Sequence, residues 1–266
     1  MKPIFFTKME GTGNDFVLID NREEQFSSVV GKAELKDTIV KILDRHYGIG
    51  GDGLILIENF KGYFFNMRYF NRDGSEADTC LNGARCAVKF AQRLGIIEDK
   101  GKFLTPAGPI GFAYQPDNIS IEVLPPMDIK LNFNLTIARK KYKLSYLKLG
   151  VPHTIMFVDS YDDINIVELG RAIRNHKDFQ PDGTNVDFVK ADKKGVFVRT
   201  YERGVEDETL SCGSGVVASA YIAVKLFMAE SPVKVMTRGG ELTVTLKEKL
   251  YLEGPANIIY DGTYYI

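Results

Sequence analysis

The chain has 266 residues, enough for one large domain or two smaller ones. Its hydrophobic share of 44% supplies a sizeable core. A net charge of −1, with basic residues spread along the chain, excludes a strongly basic surface of the nucleic-acid or anionic-membrane type. The first twenty residues mix Lys2, Lys8, Glu10, Asp15 and Asp20, unlike a secretion signal, and no stretch approaches the roughly 20 apolar residues of a membrane-spanning helix. The expectation is a cytoplasmic protein whose partner is a small molecule, with no nucleic acid and no membrane. A homodimer is an assembly compatible with this reading.

In chain order, residues 3–8 and 16–20 read as two short strands around the glycine-rich turn Gly11-Thr12-Gly13-Asn14. Residues 34–44 carry helical apolar spacing at Leu35, Ile39 and Ile42. A glycine-rich loop, 48–53, enters an apolar strand at 54–57, followed by a strand at 63–70 and a polar loop at 71–83. Residues 84–94 read as a helix capped by Gly95. Short strands broken by Pro106, Gly108, Pro116 and Asp117 span 103–123, and Pro125-Pro126 marks a boundary. The second half repeats this order: strands at 130–135 and 140–149, a helix at 164–174, strands at 184–190 and 196–201, a polar loop at 202–215, an apolar helix at 216–228 and strands over 233–260. The pattern is that of two similar α+β domains, not of a doubly wound parallel sheet.

The polar loops echo one another. Glu76 stands four residues before Cys80 and Gly83 three after it; Glu208 and Gly215 stand likewise around Cys212. A helix follows each. A thiol at a helix N-terminus lies near unpaired N–H groups and the positive end of the helix dipole, which favours thiolate. The same N–H groups can hold a carboxylate and stabilise charge that develops on it. Inverting a stereocentre requires a base on one face and an acid on the other, and two cysteines of matched acidity suit that task. Cys80 and Cys212 are therefore the candidate catalytic pair. The third cysteine, Cys86, lies inside the first helix and reads as core. An odd number of cysteines argues against a disulfide framework.

The segments Lys8-Met9-Glu10-Gly11-Thr12-Gly13-Asn14-Asp15-Phe16, Gly48 to Gly53, Asn71-Arg72-Asp73-Gly74-Ser75-Glu76, Pro152-His153, Gly183-Thr184-Asn185, and Glu202-Arg203-Gly204 through the Cys212 loop together resemble the diaminopimelate epimerase family. The resemblance covers nearly the whole chain. It implies two similar domains, each a barrel-like mixed or antiparallel sheet around a central helix, related by pseudo-two-fold symmetry. The C-terminal strand would return to the first domain, giving residues 1–123 plus 257–266 with Cys80 and residues 124–256 with Cys212. It implies interconversion of LL- and meso-diaminopimelate, on the route to lysine and peptidoglycan, with no cofactor and no metal. The catalytic residues would be Cys80 and Cys212. Leu81, Asn82, Gly213 and Ser214 would form the carboxylate-holding helix ends, and Asn14, Asn71, Asn185 and Arg203 would bind substrate. Glu202 would lie near the substrate ammonium and His153 close to the site. Arginine suits bidentate carboxylate binding, and asparagine both donates and accepts. Three positions depart from the family's common pattern: Leu81 for glycine, Val151 for asparagine and Gly53 for glutamine.

Other readings weigh less. A related racemase for another amino acid, such as histidine, shares the chemistry but not the need for Asn71, Asn185 and Arg203. A cysteine hydrolase would need His46, His153 or His176 beside one nucleophile and leaves the second loop unexplained. A non-catalytic binding protein would tolerate serine at both cysteines. The spacing of Cys80 and Cys86 is not that of a zinc site, Gly11 and Gly13 do not open a helix, and residues 48–53 lack a phosphate-loop lysine.

Overall fold

A computed structural model describes residues 2–192 and 195–266. The chain divides into two compact units. One runs to Glu122 and resumes at Gly254; the other is Val123–Glu253.

The first unit opens with a hairpin, β1 (Pro3–Gly11) and β2 (Asn14–Asp20). Its two-residue turn has positive φ at Thr12 (55°) and Gly13 (82°), as a tight hairpin requires. A β-branched residue resists that conformation. Thr12 is held in it by donating to the Gly11 carbonyl (2.7 Å) and accepting from Arg85 (3.0 Å). Helix α1 (Leu35–Leu43) leads to β3 (Gly53–Glu58), parallel to β2 and antiparallel to β4 (Asn66–Asn71). A two-residue strand, β5 (Glu76–Ala77), pairs with β4 and precedes helix α2 (Leu81–Arg93). Strands β6 (Lys100–Thr105), β7 (Gly108–Gln115) and β8 (Asn118–Val123) follow as a meander.

The second unit repeats this plan. Strand β9 (Met127–Ile137) pairs with β10 (Lys140–Leu149), which turns into β11 (Val151–Phe157). Helix α3 (Ile166–Arg174) leads to β12 (Asn185–Asp192), parallel to β11, and β12 pairs with β13 (Gly195–Glu202). The short β14 (Asp207–Thr209) precedes helix α4 (Gly213–Lys225), and β15 (Val233–Thr237), β16 (Gly240–Leu246) and β17 (Leu250–Gly254) close the unit. The last strand, β18 (Asn257–Tyr265), pairs with β1, so it occupies in the first unit the place that β9 holds in the second.

The parallel strands are buried on both faces, which is why residues 54–57 read as an unbroken apolar run. On one face Val17, Ile19, Leu54 and Leu56 pack with Ile39, Ile42 and Leu43 of α1; in the second unit Val186 and Phe188 pack with Ile166 and Ile173 of α3. The opposite face meets α2 or α4. These two helices are buried almost all round and rich in Ala and Gly, as a helix enclosed by a curved sheet must be. Both begin three residues earlier than the sequence pattern suggested, at Leu81 and Gly213 rather than at 84 and 216. Their first turns carry the small or polar residues that mask amphipathic periodicity. Strand β11 has no counterpart in the sequence reading, because Val151-Pro152-His153 interrupts its apolar pattern. Among the described residues no helix is long and apolar enough to cross a membrane.

The glutamates of the two echoed loops are structural clamps. Arg68 on β4 holds Glu76 on β5 through two hydrogen bonds of 2.8 and 2.9 Å, and Arg199 on β13 holds Glu208 on β14 at 2.7 and 2.6 Å. Glu208 also meets Arg238 at 3.3 Å, and its side chain is only 8% exposed against 37% for Glu76. Burial pushes the Glu208 carboxyl up, but Arg199 and Arg238 outweigh it and hold it below the ordinary carboxylate range. Replacing Glu208 by Gln is therefore expected to cost about 1–3 kcal/mol of stability, whereas Glu76→Gln costs less than about 1 kcal/mol. A carboxylate with a lowered folded-state pKa stabilises above its unfolded value and loses that contribution as pH falls through the lowered one. Urea denaturation should thus show the Glu208→Gln deficit in full at neutral pH and a shrinking deficit in acid.

Candidate active site

Each cysteine of interest is the N-cap of its unit's enclosed helix. Cys80 has extended backbone (φ −140°, ψ 115°), as does Cys212 (φ −107°, ψ 109°). The Cys80 sulfur accepts from the Gly83 N–H at 3.5 Å. Leu81 lies in the first turn of α2, buried and outside the positive-φ residues, so leucine at this position strains no backbone. Gly53 is also explained: a Cβ there would lie 2.4 Å from the Tyr69 ring, which occupies the space a longer residue would need.

Beside Cys80, Asn82 is buried and donates to the Asn14 side-chain oxygen Oδ1 at 3.4 Å; the Asn14 amide in turn donates to Asp52 at 2.7 Å. Arg45 fixes both Asp52 (2.8 Å) and Asp15 (3.1 and 2.7 Å), and the buried Lys8 completes the cluster by pairing with Asp15 at 2.7 Å and donating to the Gly50 carbonyl. Burial pushes the Asp15 carboxyl up, but Arg45 and Lys8 hold it well below the usual carboxylate range. The fully buried Arg85 donates to Asn82 and Thr12 (3.0 Å each) and to the Pro255 carbonyl (3.2 Å). Burial draws its guanidinium down to about 10, while the charges of Cys86, Cys80 and Glu10 act the other way. Asn71, at the end of β4 and in register with Gly53, spends its amide on Ser75 at 3.1 Å, outside the Asn14–Asn82 chain. Cys86 is fully buried, and burial raises its thiol pKa far above the ordinary value, as a core position dictates.

In the second unit the registers of β11, β12 and β13 align His153, Asn185 and the end of β13. His153 is fully buried with both ring nitrogens engaged: Nδ1 with Asp187 at 2.8 Å and Nε2 with the Ser214 hydroxyl at 2.9 Å. Ser214 lies 3.5 Å from the Cys212 sulfur. The other Asp187 oxygen accepts from Thr200 at 2.8 Å. Asn185 donates to the Pro152 carbonyl at 3.2 Å and accepts the Arg203 backbone N–H at 2.8 Å; Arg203 also donates to the Asp182 carbonyl at 3.0 Å. Glu202 ends β13, and Gly213 opens α4.

The Cys212 environment opposes the thiolate that a helix N-terminus favours. Burial raises the Cys212 pKa well above the ordinary thiol value, and the charges of Glu202 and Asp187 add to this; Ser214 and the Gly215 N–H act against it without prevailing. A cysteine only 7% exposed loses more by desolvation than a helix end returns. Asp187, Thr200, Asp52 and Arg85 are site residues the sequence reading passed over. Asp187 carried a signal, since a lone carboxylate in the apolar run Asn185-Val186-Asp187-Phe188-Val189 needs a buried partner. All three cysteines are free, and among the described residues no three His, Cys, Asp or Glu side chains converge as metal ligands.

Comparison with known proteins agrees with this architecture. A family profile described as "Diaminopimelate epimerase" matches residues 6–124 and 145–259. Diaminopimelate epimerases of Aquifex aeolicus and Archaeoglobus fulgidus are 40% and 39% identical to this chain, each over 97% of it and over 96% and 95% of their own length. Among solved structures, a phenazine biosynthesis protein of the PhzF family from Bacillus anthracis superposes with a TM-score of 0.76 at 16% identity, covering 100% of both chains. A hydroxyproline epimerase from Agrobacterium vitis gives 0.74 at 13% identity, over 98% of this chain and 92% of its own. At such identities the solved structures establish the two-unit fold alone, whereas the profile and the full-length relatives carry the assignment further: this chain belongs to the diaminopimelate epimerase family.

Proposed function

We propose that this chain interconverts LL- and meso-diaminopimelate by moving one Cα proton, with Cys80 and Cys212 serving opposite faces of that carbon as base and acid. The observation that carries the reading is that each unit seats a cysteine as the N-cap of its enclosed helix. The first-turn N–H groups of α2 at Leu81 and Asn82, and of α4 at Gly213 and Ser214, suit the substrate α-carboxylate. When the proton leaves, charge flows into that carboxylate, where helix ends stabilise it more than in the ground state.

In the resting protein Cys212, buried and faced by Glu202 and Asp187, holds its proton and is the acid. Cys80, the N-cap of α2, is then the base in that direction. In the reverse direction the roles exchange. Asn14, Asn71, Asn185 and Arg203 suit the distal amino-acid end, with Arg203 for its carboxylate and Glu202 for an ammonium. A substrate with a second amino-acid end uses these residues; histidine has none, and the curated relatives' name favours diaminopimelate. An odd number of cysteines, one of them in the core, suits a cytoplasmic setting.

The direct test is epimerisation of LL-diaminopimelate against histidine, followed by exchange of the Cα proton with deuterated water. Activity on histidine with none on diaminopimelate would overturn the substrate. Cys80→Ser and Cys212→Ser are each expected to lower inversion by at least about 100-fold, the lower end for loss of one proton-transfer group. Near-normal inversion in either variant would remove the two-base scheme. Arg203→Lys, which loses the planar fork, is expected to raise KM roughly tenfold or more with a smaller effect on kcat, as steady-state kinetics would show.

A further inference from the structure

The glycine-rich loop at 48–53 has no part in the proposed chemistry, yet its Asp52 ends a chain of side chains that begins at the fully buried Arg85. Arg85 donates through Nη2 to the Asn82 side-chain oxygen at 3.0 Å. Asn82 donates through Nδ2 to Asn14 Oδ1 at 3.4 Å, and Asn14 through Nδ2 to Asp52 Oδ2 at 2.7 Å. From the other side Arg45 donates to Asp52 Oδ1 at 2.8 Å, and the Asp15 backbone N–H adds a bond of 3.2 Å to Oδ2. Glycine at 51 lets the loop close on the β1–β2 hairpin. A Cβ there would lie 3.1 Å from Lys8 Nζ, the ammonium that pairs with Asp15.

The two ends decide the direction of everything between them. A guanidinium only donates and a carboxylate only accepts, whereas an amide does both and can turn either way. Asn82 must therefore aim its oxygen at Arg85 and its nitrogen at Asn14; Asn14 must aim its oxygen at Asn82 and its nitrogen at Asp52. We infer that Asp52, held by Arg45, is a positioning residue that fixes Asn14 as a hydrogen-bond donor to a substrate carboxylate. One Asn14 amide proton goes to Asp52, and the other leaves the same planar nitrogen in a set direction. A carboxylate oxygen is the ligand group that takes it. Turned over, Asn14 would offer its own oxygen there and repel the carboxylate. Position 52 needs a carboxylate because one oxygen serves Arg45 and the other Asn14. An asparagine there has a single acceptor oxygen, and the guanidinium, forming the stronger charge-assisted bond, takes it. The new amide nitrogen then faces the Asn14 nitrogen, donor against donor.

The kinetic consequence rests on the binding role proposed for Asn14, but the direction of the chain does not, so the two are read separately in the full chain. In the isotope-labelled protein without substrate, the Asn14 amide proton given to a carboxylate resonates downfield of ordinary side-chain amides, and Asn14→Ala identifies it by its loss. Asp52→Asn is expected to remove that signal. It is also expected to raise KM for LL-diaminopimelate about tenfold, as loss of one hydrogen bond to a charged group does, with a smaller effect on kcat. Adding Arg45→Met removes the competing donor. The double variant should regain the signal and most of the KM, although it lacks the Arg45 ion pairs with Asp15 and Asp52. A role confined to holding the loop predicts the reverse, with the double variant worse than the single one. A signal that survives Asp52→Asn overturns the inference, as does a lost signal with unchanged KM or a KM that rises further in the double variant. A wild-type chain inactive on diaminopimelate defeats the proposed function instead, and the signal still decides the direction of the chain. Should Asp52→Asn not fold, Asp52→Ala reads the same link: loss of the signal supports the assignment and its survival overturns it.

Discussion

A thiol at the N-cap of an enclosed helix is the constraint from which the rest of this structure follows. To bring N–H groups and sulfur to a ligand, the helix must run inside a curved sheet, and the sheet must approach its first turn closely. Small residues along α2 and α4 permit that approach, and the glycines three positions after each cysteine leave no room for a side chain against Ile55 or Asp187. The short hairpins before each helix then need an anchor, which the Arg68–Glu76 and Arg199–Glu208 pairs provide. The two glutamates that mark the echoed loops in the sequence are thus anchors of the hairpins that precede the cysteines.

The two units solve the same topological problem with different chemistry. Near Cys80 lies a buried cation, Arg85, and apolar packing from Phe16 and Ile55; near Cys212 lie two acidic residues and a hydrogen-bonded histidine. A racemisation is nearly symmetric in its substrate, but the groups that perform it need not be equal in ionisation. The buried charges of opposite sign near the two sulfurs give two residues of the same type different surroundings. The duplication provides the shared scaffold, and substitution at equivalent sheet positions provides the difference.

The asparagines divide in the same way. Asn14 and Asn82 are locked into a chain that continues through Asp52, Arg45, Asp15 and Lys8, which fixes their orientation. Asn185 is held between the Pro152 carbonyl and the Arg203 backbone, which ties the position of Arg203 to β12. Groups oriented in advance lose little freedom on binding, which is how polar residues gain selectivity without a large apolar pocket.

The sequence by itself determined the two-fold repetition of elements, the enclosed helices and the pair of cysteines, because each is written in local pattern: apolar spacing, glycine punctuation and matched residues at fixed offsets. It also marked Cys86 as core, since its place in the helix repeat decides its face. It could not determine where α2 and α4 begin, because a cap is defined by backbone hydrogen bonds and not by hydrophobic period. Nor could it join His153, Asp187, Thr200 and Ser214, which come from three strands and a helix and share no local motif. Only tertiary structure sets the surroundings of Cys212: the helix end that favours thiolate is local, whereas the burial and the acidic neighbours that push its thiol pKa up arrive from strands elsewhere in the chain.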